Sequence, residues 1–133
     1  MNCLDWILVV DDDEDTREML TLLLGLEGYQ VAGAVDGLDA LEQIRAHGRP
    51  ALILLDLRMP RMNGRDFTQA LREDTALAST PIVVLSGDAV AGGWPTSLDV
   101  VDCLTKPVDL AVLISTVARI VPPQEGAGPH HPD

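Results

Sequence analysis

The chain has 133 residues, which fits one domain, and a formal net charge of -12 at pH 7. Hydrophobic residues make up 47% of it and aromatic residues only 3%, so the core must be built from aliphatic side chains. The acidity argues against direct binding of nucleic acid or of an anionic membrane surface, because both interactions draw on Lys and Arg. A bound cation or a basic partner surface suits this charge better.

Short apolar runs alternate with stretches of helical periodicity along the chain. The predicted strands cover residues 6–10, 29–34, 51–55, 82–86 and 100–105. The predicted helices cover residues 13–26, 37–47, 65–73 and 108–121. Asp13 is the expected N-cap of the first helix, and Gly28 is its expected stop signal. Residues 122–133 are rich in Pro and Gly without apolar periodicity, and we expect a disordered tail there.

Strands that alternate with helices predict an α/β fold, a doubly wound parallel sheet with helices on both faces. In such sheets, ligands bind beyond the carboxyl ends of the strands. Polar residues stand at or just after several of these ends. Asp11 and Asp12 follow the first strand, Asp56 follows the third, Ser86 ends the fourth and Lys106 follows the fifth. This edge of the sheet is therefore the predicted functional site.

Three carboxylates in one crevice repel one another, since two unit charges about 4 Å apart cost roughly 4 kcal/mol at an effective dielectric constant of about 20. Oxygen-only ligands favour a hard cation, and Mg²⁺ is typically held by one or two carboxylates with water and a phosphate. Asp56 is placed to act as a nucleophile toward a phosphoryl group. Lys106 and the hydroxyl of Ser86 could then contact the phosphoryl oxygens, and Gly87 leaves the approach open.

Four segments together carry a family resemblance: ILVVDDDEDTRE (7–18), LILLDLRMPRMNG (52–64), PIVVLSG (81–87) and CLTKPVD (103–109). In this order and spacing they resemble the receiver domain of two-component response regulators, the CheY-like family, over residues 6 to about 121. The resemblance implies a flavodoxin-like, five-stranded parallel sheet of order 2-1-3-4-5, and phosphorylation of Asp56 by a histidine-kinase phosphohistidine. It implies that Asp11 and Asp12 bind the metal together with Asp56, and that the backbone carbonyl of Arg58 is a further ligand. It also implies that Ser86 is the switch hydroxyl and that Lys106 binds the phosphate.

The sequence departs from the family pattern at several positions. Cys103 stands where the family usually has a Tyr or Phe in the fifth strand, so we hypothesise that the aromatic-switch coupling is absent or rerouted. The helix between the fourth and fifth strands should be short or irregular, because Gly92, Gly93 and Pro95 are poor residues for a helix interior. Arg58 and Asp88 flank the expected approach of water to the phosphoryl group and could gate its hydrolysis.

We therefore predict a stand-alone receiver domain over residues 1–121 that depends on Mg²⁺ and catalyses only its own phosphorylation and dephosphorylation. Its expected output is phosphorylation-controlled partner binding or a phosphorelay. The expected partners are a sensor histidine kinase or histidine phosphotransfer protein and an unknown output protein, without direct contacts to nucleic acid or membrane. We expect a cytoplasmic location, because no signal peptide or membrane span is visible and two widely separated cysteines make no disulfide framework. The alternatives are a phosphorylation-independent pseudo-receiver, a receiver cut from a longer protein, and a small phosphatase.

Overall fold

A computed structural model of the chain describes residues 6–56, 64–75, 77–86, 102–105 and 108–122. The strands are β1 (Trp6–Val10), β2 (Gln30–Ala34), β3 (Leu52–Asp56), β4 (Ile82–Ser86) and β5 (Asp102–Thr105). The helices are α1 (Glu14–Leu26), α2 (Gly37–His47), α3 (Gly64–Glu73) and α4 (Leu110–Ile120). The predicted helix between β4 and β5 and the predicted tail fall outside the described residues, apart from Pro122.

The five strands form one parallel sheet in the order β2-β1-β3-β4-β5. This confirms the predicted fold class and strand order. Val10 of β1 lies opposite Leu55 of β3, and Asp56 lies opposite Leu85 of β4. The register brings the carboxyl ends of β1, β3 and β4 to the same edge of the sheet, which is where the predicted site residues stand.

Helices cover both faces of the sheet, and the alternation of side chains along each strand divides the core into two layers. In β1, Ile7 and Val9 pack toward α1 and α4, whereas Leu8 and Val10 pack toward α2 and α3. The layer with α1 and α4 contains Leu20, Leu24, Leu113 and Val117 from those helices. The layer with α2 and α3 contains Ala40, Ile44, Phe67 and Leu71. Because both faces are covered, β1 and β3 read as continuous apolar runs.

Aspartate side chains cap three of the helices at their N-termini. Asp13 accepts a hydrogen bond from the Thr16 amide, as predicted for α1. Asp36 accepts from the Asp39 amide while the Asp39 carboxylate accepts from the Val35 amide, so α2 begins with a reciprocal cap. The end of α1 is also as predicted, since Gly28 has a φ of 98° that suits glycine.

The last helix is shorter than the predicted range of 108–121. Asp109 has an extended backbone, and its carboxylate accepts hydrogen bonds from the Ala111 and Val112 amides, so the helix begins only at Leu110. It ends at Ile120, because Val121 is again extended. The third strand is shifted by one residue from its predicted range of 51–55. It begins at Leu52 and includes Asp56 as its last residue.

No helix in the part of the chain that the structure describes is long and apolar enough to span a membrane.

Candidate functional site

Three carboxylates meet at the carboxyl edge of the sheet. Oxygen atoms of Asp11, Asp12 and Asp56 all lie within 4.8 Å of one another. Asp11 follows β1 and is fully buried, and Asp56 ends β3 and is only 6% exposed. Asp12 is exposed to solvent. The cluster therefore has a buried floor formed by two acids and an open side at the third.

Hydrogen bonds to different parts of the chain hold the backbone and the side chain of Asp11. Its amide donates to the carbonyl oxygen of Ala34 at the end of β2, at 3.0 Å. Its carboxylate accepts from the Asp13 amide at 2.9 Å. Its carbonyl oxygen accepts from a guanidinium nitrogen of Arg17 on α1, at 2.8 Å. The position of this acid is thus fixed from the sheet, from the loop and from the helix.

The stem of Arg17 crosses β2 at Gly33 on its way to Asp11. A Cβ atom at Gly33 would lie 3.0 Å from both Cγ and Cδ of Arg17, closer than carbon atoms normally approach. The sequence prediction gave neither residue a role. The spacing of Arg17 six residues after Asp11 was visible, but the glycine that admits the arginine lies on another strand and no pattern in the sequence links the two.

The donor set fits a hard divalent cation. It consists of carboxylate oxygens alone, and two of the three carboxylates are in the interior, where mutual repulsion is screened least. A cation among them would offset this repulsion, and Mg²⁺ accepts such a set together with water and phosphate oxygens. These three acids are the ones that the sequence placed at this edge of the sheet.

The remaining predicted site residues are placed only in part. Ser86 is the last residue of β4 and lies opposite Thr105 of β5, while Cys103 lies opposite Val84. For Ser86 and Cys103 the structure describes the backbone pairing but not the side chains. Arg58, Gly87, Asp88 and Lys106 lie outside the described residues, so their predicted roles stay predictions.

Several known proteins share this sequence pattern. Over 115 residues the chain is 49% identical to the DNA-binding response regulator MtrA of Mycobacterium tuberculosis, covering 84% of this chain and 48% of MtrA. Over 117 residues it is 34% identical to the transcriptional regulatory protein CpxR homolog of Haemophilus influenzae, covering 86% of this chain and 49% of that protein. The chain thus spans about half the length of these curated relatives.

The fold matches solved structures of similar size. A response regulator receiver protein from Pseudomonas putida superposes with a TM-score of 0.81 at 34% identity, covering 90% of this chain and 99% of that one. The chemotaxis protein CheY4 of Vibrio cholerae superposes with a TM-score of 0.80 at 29% identity, covering 89% and 99%. The family description "Response regulator receiver domain" matches residues 7–118. The chain therefore belongs to the response regulator receiver domain family of two-component signalling.

Proposed function

We propose that Asp56 accepts a phosphoryl group from a histidine kinase or a histidine phosphotransfer protein, in a reaction that depends on Mg²⁺. Membership of the receiver family supports a signalling phosphoacceptor rather than an enzyme acting on other substrates. The observation that carries the assignment is the cluster of Asp11, Asp12 and Asp56 at the carboxyl edge of the sheet. In this proposal, the three carboxylates and the backbone carbonyl of Arg58 hold the metal.

Asp56 is favoured as the acceptor by its place in the sheet. It ends β3, which lies between β1 and β4, so it stands between the acids that follow β1 and Ser86 at the end of β4. Asp11 is fully buried, and one of its carboxylate oxygens already accepts from the Asp13 amide. Asp12 is exposed and belongs to the loop that leads into α1. A central position allows groups on both sides of Asp56 to contact a transferred phosphoryl group.

The transfer forms one bond and breaks another. A carboxylate oxygen of Asp56 attacks phosphorus, and the phosphorus–nitrogen bond to the donor imidazole breaks, so that the imidazole leaves with the bonding electrons and takes up a proton. When bound, Mg²⁺ supplies positive charge to the phosphoryl oxygens. Lys106 would place its ammonium group beside the phosphoryl oxygens, and the Ser86 hydroxyl would donate a hydrogen bond to one of them.

Removal of the phosphoryl group completes the proposed cycle. Water attacks phosphorus, the phosphorus–oxygen bond to Asp56 breaks, and inorganic phosphate leaves, which restores the Asp56 carboxylate. In back-transfer, a histidine imidazole nitrogen attacks instead of water and takes the phosphoryl group. Arg58 and Asp88 would flank the path of this water and set the rate of hydrolysis, while Gly87 would keep the approach open. Since Cys103 replaces the usual aromatic residue, we propose that phosphorylation alters partner binding without an aromatic switch in β5. A cytoplasmic location stays a prediction from the sequence.

The names of the relatives bear on the predicted absence of contacts to nucleic acid. The names of MtrA and of the CpxR homolog describe a DNA-binding and a transcriptional regulator, and the chain matches about half of each. They give no support to the prediction that the protein makes no contact with nucleic acid. For residues 6–122 the prediction continues to rest on the acidity of the chain, which opposes binding to phosphates.

Incubation with acetyl phosphate and Mg²⁺, followed by intact mass spectrometry, tests the proposal. We expect the mass to rise by one phosphoryl group, and we expect no rise when Mg²⁺ is removed with a chelator or when Asp56→Ala is used. Asp15→Asn is the matched control, because Asp15 is an exposed acid in the first turn of α1, outside the cluster. Phosphorylation that persists in Asp56→Ala would refute Asp56 as the acceptor, and a wild-type chain that takes up no phosphate would favour the pseudo-receiver.

A further inference from the structure

We propose that Arg17 is a positioning residue for the metal site: it holds the peptide between Asp11 and Asp12 in the orientation that metal binding requires, and Gly33 provides the space for it. This inference rests on the proposed function, since it concerns the same three carboxylates. Neither Arg17 nor Gly33 contributes a ligand. They would instead fix the position of the exposed ligand Asp12 relative to its buried neighbour Asp11.

The hydrogen bond from Arg17 falls on the one backbone group that links these two acids. The carbonyl oxygen of Asp11 belongs to the peptide unit that also contains the amide of Asp12. Arg17 donates to this oxygen at 2.8 Å, and the amide on the other side of Asp11 is bound to Ala34 of β2 at 3.0 Å. With both ends of Asp11 held, the peptide that leads to Asp12 has a fixed plane.

Gly33 gives the stem of Arg17 the room in which it reaches this carbonyl. Arg17 lies in the second turn of α1, which packs over β2, and its Cγ and Cδ atoms pass directly above Gly33. A methyl group there would come within 3.0 Å of both atoms and push the stem aside. Glycine in a strand interior weakens the strand, and it often marks a place where another group approaches closely. Here the approaching group is the arginine stem.

Repulsion within the site explains why the hydrogen bond from Arg17 to the Asp11 carbonyl oxygen would matter for metal binding. Without a cation, the negative charges of Asp11 and Asp56 push the exposed carboxylate of Asp12 toward solvent. Free rotation of the peptide before Asp12 would allow this displacement, and metal binding would then have to reverse it. A peptide fixed by Arg17 keeps Asp12 close to its binding position. Groups that orient metal ligands typically contribute 10–100-fold to metal affinity.

The positive charge of Arg17 and its positioning role should affect the Mg²⁺ affinity in opposite directions, so the two effects can be separated. Removal of a positive charge close to three carboxylates should tighten the binding of a cation, because it lowers the local positive potential. Loss of the hydrogen bond from Arg17 should weaken Mg²⁺ binding. The sign of the change in Mg²⁺ affinity in Arg17→Met therefore distinguishes positioning from simple electrostatics. Methionine keeps most of the stem that packs over Gly33 and removes the donor.

Arg72 offers a matched control in the same chain. One of its guanidinium nitrogens donates to the carbonyl oxygens of Ala78 and Thr80, at 2.8 Å and 3.1 Å. Like Arg17, Arg72 is partly buried and binds backbone carbonyls. Its acceptors precede β4, at the amino edge of the sheet, opposite to the acidic cluster. Arg72→Met therefore removes a partly buried donor to backbone carbonyls at the other edge of the sheet from the site.

Calorimetric titration of the metal-free chain with MgCl₂ tests the proposal, at a temperature where each variant is folded. We expect Arg17→Met to weaken Mg²⁺ binding about tenfold, Gly33→Ala to weaken it by a smaller factor, and Arg72→Met to leave it unchanged. Equal weakening in Arg17→Met and Arg72→Met, or unchanged or tighter binding in Arg17→Met, would overturn the inference. If Arg17→Met does not fold, Gly33→Ala decides, and an unchanged Mg²⁺ affinity of Gly33→Ala refutes the inference.

The outcome also separates this inference from the proposed function. If the wild type binds Mg²⁺ and is phosphorylated while Arg17→Met has the Mg²⁺ affinity of the wild type, only this inference is contradicted. If the wild type binds no Mg²⁺, the proposed function is contradicted as well.

Discussion

The hydroxyl group of Tyr29 donates a hydrogen bond to the carbonyl oxygen of Val121 at 2.6 Å, across 92 positions of the chain. Both residues are buried in the core layer that contains α1 and α4. Tyr29 lies just before β2, and Val121 directly follows the last residue of α4. This contact therefore fastens the end of the last helix to the edge of the sheet.

We expect Tyr29→Phe to lower the free energy of unfolding by about 1–2 kcal/mol. Phenylalanine keeps the buried ring but leaves the Val121 carbonyl without this donor, and an unpaired buried acceptor costs about 1–3 kcal/mol. Urea unfolding at neutral pH measures the change, with an unchanged denaturant slope as the sign that the folded structure is preserved. An unfolding free energy equal to that of the wild type would show that the bond contributes no net stability.

The same residue predicts a loss of stability at alkaline pH. Burial raises the pKa of Tyr29, and the negative charge of Glu27 raises it further. Below the pKa of the unfolded chain, about 10, the hydroxyl is neutral in both states and its contribution is constant. Above that pH the unfolded chain releases the proton first, so the folded state loses stability until its own, higher pKa is passed.

Unfolding measurements between about pH 9 and about pH 11 test this sign. We expect the free energy of unfolding of the wild type to fall more steeply with pH than that of Tyr29→Phe. Tyr29 is the single tyrosine of the chain, so the absorbance of tyrosinate reports on this group alone. Parallel pH profiles of the two proteins would refute the contribution of Tyr29.

Much of the fold could be predicted from the sequence because burial on both faces leaves a simple record. Strands such as β1 and β3 are covered by helices on either side and appear as unbroken apolar runs. A helix end is harder to predict from the sequence where a capping side chain determines its position. The sequence placed the start of the last helix at Val108, but the carboxylate of Asp109 caps it and the helix begins two residues later, at Leu110.

The acidic cluster could also be predicted, because parallel strands bring their carboxyl ends to one edge whatever the details of packing. Asp11, Asp12 and Asp56 met there as expected. The contact of Arg17 with Asp11 over Gly33 could not be predicted in this way. It depends on which helix covers which strand and at what height. A glycine within β2 indicates that some group approaches closely, but the sequence does not identify that group as Arg17.

Two glycines separate the effect of backbone conformation from that of packing. Gly25 lies in α1 and Gly48 follows α2, and a Cβ atom at either position would meet no atom within 4 Å. Gly25 is helical, so Gly25→Ala should raise the free energy of unfolding by about 0.5–1 kcal/mol. Gly48 has φ 90° and ψ -176°, a conformation almost confined to glycine, so Gly48→Ala should lower it by about 1–3 kcal/mol. Urea unfolding of both variants checks the two signs, and a change of the same sign in both would contradict the assignment.

Mg²⁺ should stabilise the folded chain through the acidic cluster. At a free concentration of 100 times the dissociation constant, binding to the folded state alone adds about 2.7 kcal/mol to the free energy of unfolding. Asp12→Asn should lose most of this gain, because it removes a ligand that is exposed and has no capping role. Without metal, the same variant should be at least as stable as the wild type, since one source of repulsion is gone.

Urea unfolding with and without MgCl₂ measures both effects, and Asp15→Asn is the control for the loss of one exposed acid near the site. Asp12→Asn should thus lower the free energy of unfolding when Mg²⁺ is present and leave it unchanged or raise it when Mg²⁺ is absent. A residue that only supported the loop before α1 would lower stability in both conditions when replaced, whereas a metal ligand lowers it only when the metal is present. If Asp12→Asn retained the full gain from Mg²⁺, the ion would have to bind elsewhere and the proposed ligand set would be wrong.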